Sequence, residues 1–204
     1  MNNLPLESLR LIEARTILDS FIVALDSITV NTSFSKAVEL ILNCKGKIVV
    51  SGVGKAGIAM QKFSSILCSF GFPSCFLDPL NAQHGDLGVL QPNDILFVCS
   101  TSGKTREAYE LIDLARNINI KTIIGLTSHP DSPLRKKVDL VIDMGVINEA
   151  GHLGLAPTTS ILVILAITDT LALVCAKEKG LTRDQYSRYH HSGYLGQKAR
   201  GEIL

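Results

Sequence analysis

Short apolar runs at Lys47–Val50, Ser74–Leu77, Asp94–Cys99, Lys121–Leu126 and Leu140–Asp143 alternate with longer segments of helical spacing. No other feature limits the fold as strongly. The runs are rich in Val, Ile, Leu and Phe, and they are short enough to be strands rather than helices. Nearly all their charges sit at their ends, as in strands buried on both faces. Apolar residues at Leu9, Ile12, Ile17, Phe21, Val23 and Ala24 predict a long leading helix. Further helices are predicted over Ser35–Leu42, Lys55–Phe70, Lys104–Asn117, Thr158–Lys179 and Arg183–Arg188, with a short one near Leu134. In the Lys55–Phe70 helix, Ile58, Phe63, Ile66 and Leu67 are expected to face inward. Strands alternating with helices, joined by right-handed crossovers, give an α/β fold: a doubly wound, five-stranded parallel sheet with an N-terminal helical extension.

The 204 residues form one well-buried core more readily than two. No linker or repeat divides them, so a single domain over 1–204 is expected, with a helical lead-in over about 1–44. Twenty Lys+Arg against nineteen Asp+Glu, a net charge of +1, give no reason to expect a nucleic-acid partner. Cys44, Cys68, Cys75, Cys99 and Cys175 are odd in number, lack CxxC spacing and lie in apolar surroundings. They are expected to be reduced and buried, as in a reducing compartment. Glu7, Arg10, Glu13 and Arg15 break up the N-terminus, which does not read as a signal peptide. The apolar stretch Ile161–Ala176, interrupted by Thr168, Asp169 and Thr170, is expected to be too short and too polar for a membrane span. The expectation is therefore a cytoplasmic protein with no membrane contact.

In a doubly wound sheet the ligand binds beyond the carboxyl ends of the strands, at the switch in strand order. Hydroxyls and glycines cluster there in this sequence. Ser100-Thr101-Ser102-Gly103-Lys104-Thr105 follows a strand and opens a helix. Free amides, hydroxyls and the positive end of the helix dipole suit a phosphate, and Gly103 allows close backbone approach. The same pattern also fits an ordinary N-cap with spare hydroxyls. Ser51-Gly52-Val53-Gly54-Lys55 is a second strand-to-helix turn. Its GxG lacks the spacing of a dinucleotide or Walker loop, and Gly57 is misplaced for the former. Lys55 can hold a phosphate or polarise a sugar oxygen, or it is a solvated lysine. Gln83-His84-Gly85-Asp86 puts a histidine in a loop, either a proton carrier or a surface turn. Glu149 precedes a Gly-rich apolar loop, where a carboxylate can act as a base or simply face solvent. His190-His191 lacks carboxylate partners at ligand spacing, so a metal is not expected there, and no chemistry read from these motifs requires an organic cofactor.

Together the blocks SGVGKAG (Ser51–Gly57), HGDLG (His84–Gly88), STSGKT (Ser100–Thr105), EAGHLGLAPTTS (Glu149–Ser160) and HHSGYLG (His190–Gly196) resemble the SIS-domain arabinose 5-phosphate isomerases. The resemblance covers roughly residues 35–200 and implies the SIS, flavodoxin-like arrangement of the sheet. It implies that Ser100, Thr101, Ser102 and Thr105, with Gly54, bind the substrate phosphate. It implies that Lys55, His84, Glu107, Glu149 and His190 are catalytic, with His190 reaching the site of another subunit. His84 or His190 would be the base of an enediol isomerisation, Glu149 and Glu107 would assist, and Lys55 would stabilise the enediolate. The chain departs from the family at Lys104, at Gly151-His152 and at His191-Ser192. It also ends at Leu204, before the place of the tandem CBS domains common in the family.

The resemblance further implies a sugar phosphate substrate, interconversion of D-ribulose 5-phosphate and D-arabinose 5-phosphate, and supply of Kdo for lipopolysaccharide or capsule. CMP-Kdo is an expected feedback ligand, with Lys104 and His152 as anion contacts. A homotetramer is expected, from the family's habit and from the apolar surface of the helices Leu4–Leu25 and Ile161–Ala176. The competing readings are a non-catalytic SIS module that senses a sugar phosphate, and a hexulose- or heptulose-phosphate isomerase of the same fold.

Overall fold

The computed structural model describes residues 5–203. Leu4, at the start of the first apolar stretch, lies outside them. Five parallel strands, β1 (Ile48–Gly52), β2 (Ser74–Phe76), β3 (Ile95–Cys99), β4 (Thr122–Thr127) and β5 (Leu140–Asp143), form one sheet in the order β2-β1-β3-β4-β5. This is the expected doubly wound arrangement. Its helices are α1 (Leu6–Asp26), α2 (Thr32–Asn43), α3 (Gly54–Ser69), α4 (Pro79–Ala82), α5 (Arg106–Asn117), α6 (Thr159–Glu178), α7 (Arg183–Tyr189) and α8 (Gly193–Ala199).

The two-residue period of the strands divides the core into two layers. Ile48, Val50, Phe97, Cys99, Ile124 and Leu126 face α2, α3 and α6. Val49, Leu96, Val98 and Ile123 face the opposite layer, with Ala108, Leu111 and Ile112 of α5. Helix α3 lies close on β1 because Gly57 has no side chain. A Cβ built there would come within 2.5 Å of the Gly52 carbonyl oxygen. Gly57 therefore serves helix–strand packing rather than a fingerprint.

Several expectations need correction. Ile58 is 65% exposed. The face of α3 turned to the core carries Ala59, Met60, Phe63 and Leu67, and Ile58 falls outside that stripe. The segment before His84 is not a plain loop: Asp78 caps α4, with Pro79 at its first position, and a 3-10 turn covers Asp86–Val89. The last motif is half helical, since α8 begins at Gly193. Of the five cysteines only Cys99 and Cys175 are buried; Cys68 is exposed on the outside of α3.

Helix α6, with 20 residues, is long and apolar enough to cross a membrane by length and composition, contrary to expectation. Its packing accounts for that composition. Val163, Ile164, Ile167, Leu171 and Cys175 are buried in the core, and Asp169 pairs with Lys62 of α3. Thr168 returns its hydroxyl to the Ile164 carbonyl at 2.8 Å. Helix α1 has no fully buried residue, though Ala24 packs against the core, and it leaves Leu6, Leu9, Leu11, Ile12 and Ile22 exposed.

At the amino ends of the strands, buried Asp94 ties β1 to β3. Its carboxylate accepts from the Lys47 amide at 2.8 Å, the Lys47 ammonium at 2.6 Å and the Gln91 amide at 2.8 Å. Asp94→Ala removes all three acceptor contacts from a dry site. It is expected to lower the unfolding free energy by about 3 kcal/mol, read from denaturant melts. A loss below about 1 kcal/mol would show that the latch is not structural.

Candidate functional site

Strand order reverses between β1 and β3, so the loops that follow them diverge and open a crevice. A cleft of about 320 Å³ occupies that place. Val53 and Lys55 reach it from the end of β1, and Ser100, Thr101, Ser102 and Thr105 from the end of β3. His129 comes from the end of β4 and Glu149 from beyond β5, while Pro157 and Ser160 close it at the start of α6.

The β3 loop is held internally in a way that leaves a helix end open. Thr105 is the N-cap of α5, yet its side chain caps no amide of the helix. Its hydroxyl instead meets that of Ser100 at 2.7 Å. Ser102 accepts from the Lys104 amide at 3.2 Å, and the Gly103 amide donates to the Ser100 carbonyl at 2.9 Å. Gly103 has a φ of +58° and is buried against Ser132. The glycine is thus demanded by backbone conformation and by the neighbouring loop, beyond any role in admitting a ligand.

Helix α3 also opens on the cleft, with Val53 as an N-cap that offers no side-chain acceptor. Helix α6 is the third. There the carboxylate of Glu149 accepts from the amides of Thr158 at 2.9 Å and Ser160 at 3.3 Å, both on Oε2. Glu149 is therefore fixed by the helix it caps, and its carboxylate stands at the cleft wall. Three helix N-termini with their positive dipole ends face one space lined by hydroxyls. Cys99 lies at the cleft floor, and burial pushes its thiol up to about 12, so it stays a neutral thiol.

The expected site residues divide. Lys55, Glu149, Ser100, Thr101, Ser102 and Thr105 come together in the cleft. Gly54 does not line it, although its neighbours Val53 and Lys55 do. His84, Glu107 and His190 do not line the cleft of their own chain. His84 is exposed after α4, in a segment tied to α5 through Gln83 Nε2 and Glu110 Oε2 at 2.8 Å. Glu107 is half-buried in the first turn of α5. His190 stacks on Tyr186 at 3.9 Å and bonds its carbonyl through Nδ1 at 3.0 Å. Tyr186 in turn lies beside Phe70, just past the end of α3. Lys55 is at the start of that helix, so roughly 20 Å separates the two ends.

His129 was missed. Thr127-Ser128-His129 is a hydroxyl-bearing segment just after a strand, the same signal that marks the other two loops. Lys104 and His152 are exposed and do not line the cleft.

The SIS domain family model matches residues 41–174. A crystal structure of a candidate phosphosugar isomerase involved in capsule formation from Bacteroides fragilis superposes with a TM-score of 0.87 at 43% identity, covering 91% of this chain and 99% of that one. A protein of E. coli CFT073 solved in complex with A5P gives 0.84 at 31% identity, covering 93% and 100%. Arabinose 5-phosphate isomerase KpsF of Escherichia coli is 38% identical over 165 residues, 81% of this chain and 52% of the relative. The chain spans about half the length of the curated relatives it matches.

Proposed function

The chain belongs to the SIS-domain family, and from that footing we propose that its cleft interconverts D-ribulose 5-phosphate and D-arabinose 5-phosphate. The observation that carries this reading is the joint presence of Lys55 and Glu149 with an uncapped, hydroxyl-lined helix start in one cleft. Such a helix start suits a phosphate, and a carboxylate and an ammonium in one cleft suit proton transfer next to a carbonyl. The relatives named for A5P and for arabinose 5-phosphate isomerase supply the pentose.

In this reading Ser100, Thr101, Ser102 and Thr105 hold the phosphate, with the Gly54 turn beside them. Glu149 removes the proton from C1 of the open-chain ketose. The electron pair forms the C1–C2 double bond, and the C2 carbonyl oxygen takes the negative charge next to Lys55. Transfer of the O1 hydroxyl proton to O2, and return of the carbon-derived proton from Glu149 to C2 as C1=O forms, gives the aldose. Glu107, next to the phosphate loop, orients the loop's neighbours, and His84 shuttles hydroxyl protons at the rim. His190 comes from a second subunit, since in its own chain it lies at the far end of α3. The exposed apolar surface of α1 supports a homotetramer that brings it there.

The shared site has a direct test. Lys55→Ala and His190→Ala are each expected to lose at least about 100-fold in turnover. Co-expressed, they are expected to recover activity at about one site in four, by random pairing of subunits. Mixed oligomers without recovery would place both residues in one chain's site or His190 outside it.

The reaction is placed in the cytoplasm, supplying Kdo for capsule or lipopolysaccharide, in keeping with the capsule role named for the B. fragilis relative. CMP-Kdo is assigned as a competitive feedback ligand at the same cleft, with Lys104 and His152, both exposed, as anion contacts. Competition assays with CMP-Kdo check that assignment, and absence of inhibition removes it. A turnover panel tests the main reaction: ribulose 5-phosphate is expected to react, and hexulose and heptulose phosphates to react at least about 100-fold more slowly. A protein that binds these sugars without turnover is a sensing module instead.

A further inference from the structure

The geometry points to His129 as the residue that supplies the missing positive charge for the substrate phosphate, taking up a proton as the sugar phosphate binds. This inference rests on the cleft being a sugar phosphate site, and it adds a residue that the family motifs above do not include.

Charge in the cleft makes the case. Among its lining residues the side chains that carry full charges are Lys55 and Glu149, which cancel. Ser100, Thr101, Ser102 and Thr105 are neutral, and Cys99 is held as a thiol. A sugar phosphate brings about two negative charges at neutral pH, its second pKa lying near ~6. The helix ends offset part of that. His129 is the remaining lining group that can become a cation near neutral pH.

Its position is on the phosphate side. The Ser128 amide donates to the Thr101 carbonyl at 2.9 Å, so the loop after β4 is joined backbone to backbone with the phosphate loop. One residue on, His129 has a φ of +56°, a left-handed conformation that costs a non-glycine residue about 1 kcal/mol. The loop pins it there. The His129 carbonyl accepts from the Ser132 amide at 3.1 Å and from Arg135 Nε at 2.9 Å. Arg135 is itself paired with Asp143 at 2.9 Å, at the end of β5. His129, exposed at the cleft edge, thereby lines the cleft from a fixed backbone.

The charged groups around it are Lys55 from α3, Glu149 from the loop before α6, and Asp131 and Arg135 within its own loop. Arg135 is committed to Asp143 and to the His129 carbonyl. An arriving dianion tips the balance toward the imidazolium.

The test is calorimetric titration with arabinitol 5-phosphate, which cannot isomerise, at about pH 7.5, where a sugar phosphate is a dianion. Buffers of different ionisation heat report protons taken up. Wild type is expected to take up a substantial fraction of a proton per ligand. His129→Asn, which keeps the left-handed conformation available, is expected to take up none and to bind at least about tenfold more weakly. For turnover, its KM rises by the same factor while kcat stays within about threefold. Binding by wild type without proton uptake, or by His129→Asn with unchanged uptake and affinity, overturns the inference. Proton-coupled binding without any turnover of ribulose 5-phosphate instead overturns the isomerase reading and leaves His129 in place.

Discussion

Glu149→Gln is expected to lower kcat by about 10²–10⁴ while leaving KM within about threefold and the fold intact. In the wild type one carboxylate oxygen accepts from the Thr158 and Ser160 amides and so caps α6. A glutamine side-chain oxygen accepts the same two bonds, so α6 keeps its start. What is lost is a group able to take a proton from carbon. Glu149→Ala provides the contrast: it removes the cap as well and is expected to cost about 1 kcal/mol of stability in addition to the catalytic loss. Steady-state kinetics and thermal melts of both variants separate the two roles. A glutamine variant with nearly wild-type kcat would remove Glu149 from the proton path and return the base to a histidine.

Gly103→Ala is expected to damage both stability and substrate binding. The position has a φ of +58°, and a Cβ there would run into the Ser132 side chain and come within 2.7 Å of Thr127 Oγ1. Those two hydroxyls bond each other at 3.0 Å within the loop that carries His129, which packs against Gly103 of the β3 loop. The added methyl forces the two loops apart. A loss of about 2–4 kcal/mol is expected from denaturant melts, combining backbone strain with overpacking. KM is expected to rise at least about tenfold, since the hydroxyls and amides of Ser100–Thr105 no longer converge. Ser132→Gly in the same chain makes room for the methyl and is expected to recover part of the stability, leaving the cost of the left-handed backbone. If Gly103→Ala melts and binds like wild type, the two loops are not the rigid unit described above.

The contrast between these loops and the histidines shows what a sequence can reveal. Buried parallel strands announce themselves because both faces must be apolar, which is why β1, β3, β4 and β5 were legible to within a residue or two. Helix α4 was not legible: four residues beginning with Pro79 show no period, and its Asp78 cap looks like any turn. Ile58 misled because the apolar residues of α3 extend beyond its buried stripe of Ala59, Met60, Phe63 and Leu67. The outward-facing Cys68 misled for the same reason.

At the site, the expected residues that follow strands meet in one cleft, since the sheet itself fixes where Lys55, Ser100, Thr101, Ser102 and Thr105 go. Glu149 was placed but not its cap to α6, which depends on the path of the Gly151–Pro157 loop. His84 and His190 carry no local signal of distance from the cleft. His190 in particular is set by how α7 packs past the end of α3 through Phe70 and Tyr186. His129 had the right local signal and no motif to draw attention to it.

The central claim is proton transfer between adjacent carbons of a pentose phosphate in the cleft formed by β1, β3, β4 and β5. Incubating the purified protein with D-ribulose 5-phosphate in deuterium oxide and following the sugar by NMR tests it most directly. Arabinose 5-phosphate carrying solvent deuterium at C2 is expected, with Glu149→Gln suppressing both its appearance and the labelling. Unchanged, unlabelled ribulose 5-phosphate after prolonged incubation with folded protein would contradict it.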